Sequence, residues 1–141
     1  MRASDLDGIL RIERTCFRND AYDRNLFAAY ARRCADFFLV AAEQGGELRG
    51  YILGCRFRGE AELVSVAVEP SARREGVASG LLESLQRRLK RRGIRRLRLT
   101  VRTTNWRARR FYRKYGFVTV RRVEGYYGDG RDGWRMEKEL G

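Results

Sequence analysis

The sequence predicts a single α/β domain, and a strand that leads directly into a helix carries most of that prediction. Val64–Val68 is a short, largely apolar run rich in β-branched residues, which is typical of a buried strand. Pro70 ends it, because proline cannot donate to a strand ladder. Beyond this stop, apolar residues recur at helical spacing, at Val77, Leu81, Leu82, Leu85 and Leu89. A length of 141 residues suits one domain, residues 1–141, whose core needs neither metal nor disulfide.

The N-terminal part of the chain predicts two helices. Ser4 is a candidate cap for the first, whose apolar face is formed by Leu6, Ile9, Leu10, Ile12 and Cys16 or Phe17. The second runs from about Arg24 to Arg33. The polar, turn-rich residues 18–23 connect the two helices.

Three strands and the long helix follow. Residues 37–42 and 48–57 form a hairpin around the turn at 44–47, and residues 61–68 are the central strand. The long helix extends to Arg92, where Gly93 is expected to form its C-terminal cap.

The C-terminal part predicts a strand, a helix and a closing hairpin. Residues 96–101 alternate between apolar and polar, as in a half-buried strand. Asn105 begins a helix that runs to about Tyr115 and ends at Gly116. Two closing strands, 117–123 and 133–140, are joined by residues 124–130.

The start of the long helix is a candidate anion site. Its first backbone N–H groups, the positive end of its dipole, and Arg73 and Arg74 all favour negative charge. Gly76 and Ala78 carry little or no side chain, so a diphosphate could approach the backbone closely. An ordinary strand–loop–helix with two solvated arginines remains an equally simple interpretation.

Charge, cysteines and hydropathy limit the classes of function. The net charge is +13, and residues 85–123 contain no Asp or Glu, so the electrostatic field attracts polyanions such as nucleic acid, a ribosome or an acidic partner. No apolar run long enough for a membrane span and no signal-peptide pattern occur. With three Cys and no His, we expect no metal site, reduced thiols and a cytoplasmic location.

Two blocks of the chain resemble the GCN5-related N-acetyltransferase (GNAT) family. Arg73-x-x-Gly76-x-Ala78, after Val66-Ala67-Val68-Glu69-Pro70, is similar to its acetyl-CoA signature, and a second block runs from Asn105 through Tyr112 to Phe117. The resemblance covers nearly the whole chain. It implies a mixed, twisted sheet of six to seven strands flanked by about four helices. The family's first strand would be short or missing here, either as a stub or because the chain start is trimmed.

The resemblance also assigns residues to acetyl-CoA, the implied co-substrate. The backbone of Val66, Ala67 and Val68 resembles the segment that pairs with pantetheine, although these side chains suit a core under any interpretation. Asn105 resembles the side chain that binds pantetheine and is also a good helix cap. The diphosphate loop is matched by Arg73, Arg74, Glu75, Gly76, Val77, Ala78 and Ser79.

Tyr112 resembles the general acid that protonates the sulfur of CoA, and we favour this role, although Tyr112 lies in an aromatic stripe of the kind that usually packs in a core. The nearest subfamily is the ribosomal-protein alanine N-acetyltransferases and related protein N-terminal acetyltransferases. These carry Glu at the position of Thr100, which cannot accept a proton at neutral pH. Glu62, four residues before Val66 and therefore expected on the same strand face, is the best substitute base. A solvated role for Glu62, Glu60 as base, or a water wire are the alternatives.

Tyr126 and Tyr127 resemble a loop that holds the first residues of a peptide substrate, and Tyr22 and Asn25 fall on the family's acceptor side. Cross-strand packing in a hairpin is the other explanation for the tyrosine pair. The sequence thus predicts direct transfer of acetyl to a primary amine, most simply a protein or peptide N-terminal α-amine. Two alternatives stay open: acetylation of a small amine or polyamine, and a basic nucleic-acid- or ribosome-binding module with a degenerate acetyltransferase fold.

Overall fold

The computed structural model describes residues 1–17, 23–73 and 76–141, and within them six strands and four α-helices form one α/β unit. The helices are α1 (Leu6–Phe17), α2 (Arg24–Arg33), α3 (Val77–Arg91) and α4 (Trp106–Lys114). The strands are β1 (Phe38–Ala42), β2 (Leu48–Phe57), β3 (Glu60–Val68), β4 (Arg96–Arg102), β5 (Val118–Val123) and β6 (Gly133–Glu139). Short 3₁₀ turns occupy Ala3–Asp5, Ala35–Phe37 and Pro70–Ala72.

The sheet is mixed, with strand order β1-β2-β3-β4-β6-β5. All neighbouring strands are antiparallel except β3 and β4, which run parallel. These two central strands pair only at Ala61 with Leu97 and at Glu62 with Arg98, and beyond this point they diverge. The predicted fold class is confirmed, and Met1 and Arg2 lie outside any strand.

The helices cover both faces of the sheet and bury two apolar clusters. On the α3/α4 face, Leu81, Leu82 and Leu85 of α3 pack with sheet residues such as Ile52 and Leu63. On the α1/α2 face, the second cluster contains Ile9, Ile12, Phe27, Tyr51 and Leu53. The helical spacing of these apolar positions is what directs each helix onto the sheet.

Glycines end α3 and α4 as the sequence predicts. After α3, Gly93 has φ 78°, and the N–H groups of Gly93 and Ile94 donate to the carbonyls of Lys90 and Leu89. The same arrangement follows α4, where Gly116 has φ 95° and the Phe117 N–H donates to the Tyr112 carbonyl at 3.0 Å. The Tyr112 backbone is therefore held in the last turn of its helix.

The cap predicted at Ser4 is wrong. Ser4 lies inside the 3₁₀ turn Ala3–Asp5, which precedes α1, and the Arg2 N–H donates to the Asp5 carboxylate at 2.8 Å. The short turn starts the helical segment two residues earlier than the apolar periodicity indicates.

The expectation of three reduced thiols is also wrong, because Cys34 and Cys55 form a disulfide with a Cα–Cα distance of 5.2 Å. Cys34 ends α2 and Cys55 lies in β2, so packing of α2 on the sheet brings the two side chains together. Cys16 is free. In the part of the chain that the structure describes, no helix combines the length and apolar character needed to cross a bilayer.

A β-bulge interrupts the pairing of β2 with β3. Leu53 pairs with Ser65, whereas the next residue, Gly54, pairs with Leu63, so Val64 is the extra residue on β3. A single inserted residue reverses which face the later side chains occupy. The bulge therefore decides how β3 contributes to the site described below.

Candidate active site

The divergence of β3 from β4 opens a cleft of about 490 Å³ in the middle of the sheet. Residues 62–66 of β3 form one wall and residues 99–102 of β4 form the other. Side chains from α1, α2, α4 and the loop between β5 and β6 complete the lining. The cleft is therefore reached by residues from both faces of the sheet.

Glu62 and Val66 both line this cleft, but they lie on opposite faces of β3. Glu62 pairs with Cys55, which belongs to the cluster on the α1/α2 face. Val66 pairs with Ile52, which belongs to the cluster on the α3/α4 face. Directly paired residues share a face, so the expectation that Glu62 and Val66 face the same side is wrong. The Val64 bulge is the physical reason.

Tyr112 of α4 lines the cleft on the α3/α4 side and is buried. Its ring makes edge contacts with Phe111 and Phe117, at centroid distances of 5.4 and 5.5 Å. Among the described residues, no group makes a hydrogen bond to its hydroxyl. Burial, and second the proximity of Tyr127, raise the pKa of Tyr112 above its ordinary value. The phenol thus keeps its proton throughout the neutral range, and both its acid role and its core packing are compatible with this position.

Asn105 caps α4, as its position before Trp106 predicts. Its Oδ1 accepts a hydrogen bond from the Ala108 N–H at 3.2 Å, and the residue also lines the cleft. The cap uses the oxygen as an acceptor, whereas the amide nitrogen is a donor. Capping therefore leaves the donor function of this side chain for a bound group.

Thr100 lies on the β4 wall, and its hydroxyl oxygen is buried without a hydrogen-bond partner in the described residues. Glu60, in contrast, is outside the cleft lining, where it pairs with Arg96 at 3.2 Å and Arg98 at 3.7 Å. These ion pairs explain Glu60 as a structural residue at the start of β3. Of the two carboxylates considered as base from the sequence, only Glu62 reaches the cleft.

The loop between β5 and β6 brings Tyr126 and Tyr127 to the cleft. Their rings meet edge to face at 5.0 Å, and Tyr126 is exposed whereas Tyr127 is half-buried. The Arg102 guanidinium lies 4.1 Å from the Tyr127 ring centroid, and the Tyr127 hydroxyl donates to the Thr100 carbonyl at 3.5 Å. One tyrosine thus packs against the wall, and the other presents its ring to solvent.

Two aspartates hold this loop in place. Asp129 accepts hydrogen bonds from the Arg131 N–H and from Arg102, both at 3.0 Å, and these interactions lower its pKa. The Gly125 N–H and Arg122 likewise lower the pKa of Asp132. Both carboxylates are therefore ionised at neutral pH and keep the tyrosine pair at the cleft.

The predicted diphosphate loop is separate from the cleft lining and lies at the start of α3. Gly76 has φ 75° and precedes the helix without a side-chain cap from any described residue. Val77, Ala78 and Ser79 form the first turn of α3, where backbone N–H groups have no acceptor within the helix. Arg73 instead folds back, with its Nε 3.4 Å from the Val68 carbonyl and its Nη2 3.3 Å from the Cys16 sulfur.

Several predicted residues do not enter the cleft. Ala67 packs on the α1/α2 face, and the Val68 carbonyl already accepts from Arg73 and from the Cys16 thiol. Asn25 lies on α2, away from the lining. Tyr22, Arg74 and Glu75 lie outside the described residues. The structure thus brings together Glu62, Val66, Asn105, Tyr112, Tyr126 and Tyr127.

Glu13 and Phe17 of α1 and Tyr30 of α2 line the cleft without having been predicted as site residues. The periodicity of α1 marks Phe17 as apolar but says nothing of a cleft. Glu13 is 1% exposed, although a glutamate is ordinarily placed at the surface. Its position directly after Ile12, inside the apolar stripe of α1, is the one signal that indicates burial. Nowhere in the described ranges do acidic or cysteine side chains cluster as metal ligands.

Comparison with known proteins agrees with this geometry. The acetyltransferase (GNAT) family model matches residues 6–117, so the chain belongs to the GNAT family and is an N-acetyltransferase. An uncharacterised N-acetyltransferase of Methanocaldococcus jannaschii is 33% identical over 97% of this chain and 87% of its own length. The NAA20 catalytic subunit of the Arabidopsis thaliana N-terminal acetyltransferase B complex is 31% identical over 86% of this chain and 72% of its own. The crystal structure of Ard1 from Thermoplasma volcanium superposes with a TM-score of 0.93 at 30% identity, covering 99% of this chain and 93% of that one.

Proposed function

We propose that this enzyme transfers the acetyl group of acetyl-CoA directly to a primary amine, namely the N-terminal α-amine of a protein or peptide. The observation that carries the proposal is the cleft between β3 and β4, which the two faces of the sheet line differently. Val66 and Tyr112 belong to the α3/α4 face, whereas Glu62, Phe17 and Tyr30 belong to the α1/α2 side. Two substrates can therefore meet in the sheet from opposite faces.

Acetyl-CoA is the donor and enters from the α3/α4 side. The edge of β3 that β4 leaves beyond Glu62 offers backbone groups to the pantetheine amides, and the Asn105 amide adds a donor. The start of α3 at Gly76 supplies backbone N–H groups for the diphosphate. Both features lie at the same end of β3, because Pro70–Ala72 and Gly76 connect that strand to α3.

The reaction breaks the thioester bond and forms an amide bond. The neutral amine attacks the acetyl carbon, the CoA thiolate departs, and the Tyr112 hydroxyl gives the sulfur its proton. Support for Tyr112 comes from its position on the cleft wall, and its raised pKa keeps the hydroxyl protonated at neutral pH. The proton that the amine must lose goes to Glu62, directly or through water.

An extended peptide suits the acceptor side better than a compact amine. Tyr126 exposes 46% of its surface beside Gly128, and Tyr127 stands next to it on a loop fixed by Asp129 and Asp132. Aromatic rings with hydroxyls contact both the backbone and the side chains of a peptide. The N-terminal acetyltransferase name of the Arabidopsis relative favours the same acceptor.

A small amine or polyamine is the second candidate, because the described cleft lining contains two carboxylates, Glu13 and Glu62, and one cation, Arg102. Arg102 is engaged by Asp129 at 3.0 Å. Such a lining attracts any ammonium, so the acceptor has to be decided by competition. The basic outer surface of the chain, with its net charge of +13, suits an acidic partner such as a ribosome that presents emerging N-termini.

The test is acetyl transfer measured as free thiol. The enzyme is incubated with acetyl-CoA and, separately, with peptides that have a free α-amine, with α-blocked peptides that contain lysine, and with spermidine. We expect the highest kcat/KM for the free α-amine peptides and little activity on their α-blocked counterparts. Preference for spermidine would replace the peptide proposal with the polyamine one. If none of these acceptors gives thiol release, while nucleic acid binds with a steep dependence on salt, both proposals are refuted.

A further inference from the structure

A second cavity, of about 430 Å³, lies where α2, β2 and α3 end. Residues 32–37, Arg56 and Arg92 line this arginine cavity. Its described lining contains four arginines and one carboxylate, that of Asp36. None of these described residues lines the cleft between β3 and β4, so the proposed chemistry does not account for them.

Most of the positive charge at the arginine cavity is not compensated within the described residues. Asp36 pairs with Arg92 at 3.0 Å, which accounts for one of the four arginines. Arg33 lies over an aromatic ring of α2, 5.7 Å from the ring centroid, and forms no ion pair with a described residue. Arg32 and Arg56 form no hydrogen bond or ion pair with any residue in the described ranges. Three cationic side chains therefore line one cavity without an acidic partner in the described part of the chain.

The disulfide fixes two of these charges at the same cavity. Arg33 directly precedes Cys34, and Arg56 directly follows Cys55, the cysteine to which Cys34 is bonded. Like charges held close together repel each other and lower stability. A cation in the last turn of α2 is favoured by the helix dipole, which explains Arg33, whereas Arg56 lies near the end of a strand and has no such explanation. The arrangement therefore favours an anionic ligand.

An exposed aromatic side chain follows the cavity residue Arg56. Phe57 is 53% exposed, although phenylalanine is among the residues most often buried. The guanidinium groups of Arg58 and Arg98 lie 5.4 and 5.5 Å from its ring centroid. Single-stranded nucleic acids bind to surfaces of this kind, because their bases stack on aromatic rings while cationic side chains bind the phosphates.

The end of α3 extends the positive surface beyond the arginine cavity. Arg88 donates a hydrogen bond to the Asp36 carbonyl at 3.0 Å, so α3 is in contact with the cavity lining. The exposed cations of this segment are Arg87, Arg88, Lys90, Arg91, Arg92 and Arg95. No acidic residue occurs in residues 85–123. A chain of phosphates can therefore continue from the cavity along α3, which a single phosphate group would not use.

We propose that the arginine cavity, Phe57 and the end of α3 together bind single-stranded nucleic acid. The arginines bind consecutive phosphates, for which the planar guanidinium is well suited, and Phe57 stacks on a base. An acidic protein would use the charges but not the exposed ring, and a duplex has its bases already stacked. Nucleic-acid binding here is compatible with acetyl transfer, because the cavity and the cleft share no described lining residue.

The test measures the affinity of the full chain for a fluorescein-labelled single-stranded RNA of about 12 nucleotides, by fluorescence anisotropy. Salt is varied from about 50 to 300 mM, because the salt dependence reports the number of phosphates bound. The wild type is compared with a triple variant of the cavity, Arg32→Gln, Arg33→Gln and Arg56→Gln. Acetyl transfer is not measured, so failure of the proposed function does not affect the result.

The matched control is a triple variant of α4 with the same loss of charge, Arg107→Gln, Arg110→Gln and Arg113→Gln. All three of these arginines are exposed and lie outside the arginine cavity. At about 100 mM salt, charges further than about 10 Å from the bound RNA are largely screened. The control should therefore weaken binding by less than about threefold.

For the cavity variant we expect affinity to fall about thirtyfold or more at about 100 mM salt. The slope of log K against log salt should become shallower by about 2, since each phosphate contact on a single strand contributes about 0.7. Equal weakening by both triple variants would mean that net charge alone attracts the RNA, and would overturn the inference. So would displacement of the RNA by a polyglutamate peptide at equal charge concentration, which would indicate an acidic protein as the ligand.

A single substitution tests the stacking and covers the case in which the cavity variant does not fold. Phe57→Ala should weaken binding of the single strand about fivefold or more, without changing the salt slope or the weaker binding of duplex RNA. Trp106→Ala is the matched control, because Trp106 is 61% exposed and has the Arg107 guanidinium 5.5 Å from its ring centroid. Affinity of Phe57→Ala equal to that of Trp106→Ala and the wild type would contradict the proposed site.

Discussion

Replacing Tyr112 with phenylalanine tests the proposed chemistry most directly, because it removes one hydroxyl and little else. The ring contacts with Phe111 and Phe117, at 5.4 and 5.5 Å, do not involve the oxygen. The backbone is held by the glycine turn after α4, through the hydrogen bond from Phe117 to the Tyr112 carbonyl. No described residue makes a hydrogen bond to the hydroxyl, so none is lost within the described protein. The free energy of unfolding should therefore change by less than about 1 kcal/mol.

The effect on catalysis should be much larger than the effect on stability. A positioned general acid contributes about 10²- to 10⁴-fold, so kcat should fall by that factor, which corresponds to about 3–5 kcal/mol in the activation barrier. Burial raises the pKa of Tyr112, so the phenol stays protonated from about pH 6 to pH 9. The pH–rate profile of Tyr112→Phe should thus be lowered by one factor without a change of shape. Acetyl-CoA affinity should change little, because the hydroxyl acts on the departing sulfur.

The assay follows thiol release across pH with saturating acetyl-CoA and the preferred peptide, while calorimetry gives the acetyl-CoA dissociation constant. Tyr115→Phe is the matched control, since the Tyr115 ring also packs against Phe111, at a centroid distance of 4.9 Å, but does not line the cleft. A kcat for Tyr112→Phe within about threefold of wild type at every pH would remove Tyr112 from the mechanism.

Three further predictions concern the base, the diphosphate loop and the disulfide. Glu62→Gln should lower kcat/KM about tenfold or more near pH 6, where the amine is protonated, and less near pH 9; an unaltered pH profile would exclude Glu62 as base. Gly76→Ala places a side chain at φ 75°, which an L-residue rarely adopts, so the free energy of unfolding should fall by about 1 kcal/mol and acetyl-CoA affinity by about fivefold. The control is Gly80→Ala within α3, which should raise the free energy of unfolding by about 0.5–1 kcal/mol. Replacing Cys34 and Cys55 by alanine removes a cross-link between residues with a sequence separation of 21, so the free energy of unfolding measured in urea should fall by about 3 kcal/mol. A variant as stable as the wild type would contradict the disulfide.

The elements that could be predicted from the sequence are those with their own start and stop signals. Apolar spacing alone defines α3, and Gly93 ends it through local hydrogen bonds that depend on no distant residue. Asn105 and Gly116 delimit α4 in the same way. These signals act within one or two turns, so tertiary packing leaves them unchanged.

Features that depend on pairing between distant segments could not be predicted. The bulge arises because the consecutive residues Leu53 and Gly54 of β2 pair with Ser65 and Leu63 of β3, so that β3 has one extra residue, Val64, between them. The sequence of β3 alone does not reveal this difference. The Cys34–Cys55 bond depends likewise on how α2 packs against β2. Glu13 was missed because its burial is compensated by Tyr51 and Ser65, which are 38 and 52 residues away in sequence.

The pairing of β3 with β4 at only two positions is what opens the cleft between the two strands. If β3 were paired with β4 along its whole length, the backbone groups on the side of β3 that faces β4 would all be hydrogen-bonded to β4, and no cleft would open in the sheet. Because the strands diverge after Glu62 and Arg98, the inner edge of β3 is not paired with β4 beyond that point, and the bulge places Glu62 and Val66 on opposite faces of the sheet. One strand can therefore present Glu62 to one face of the cleft and Val66 to the other, which is the arrangement that the proposed two-substrate reaction needs.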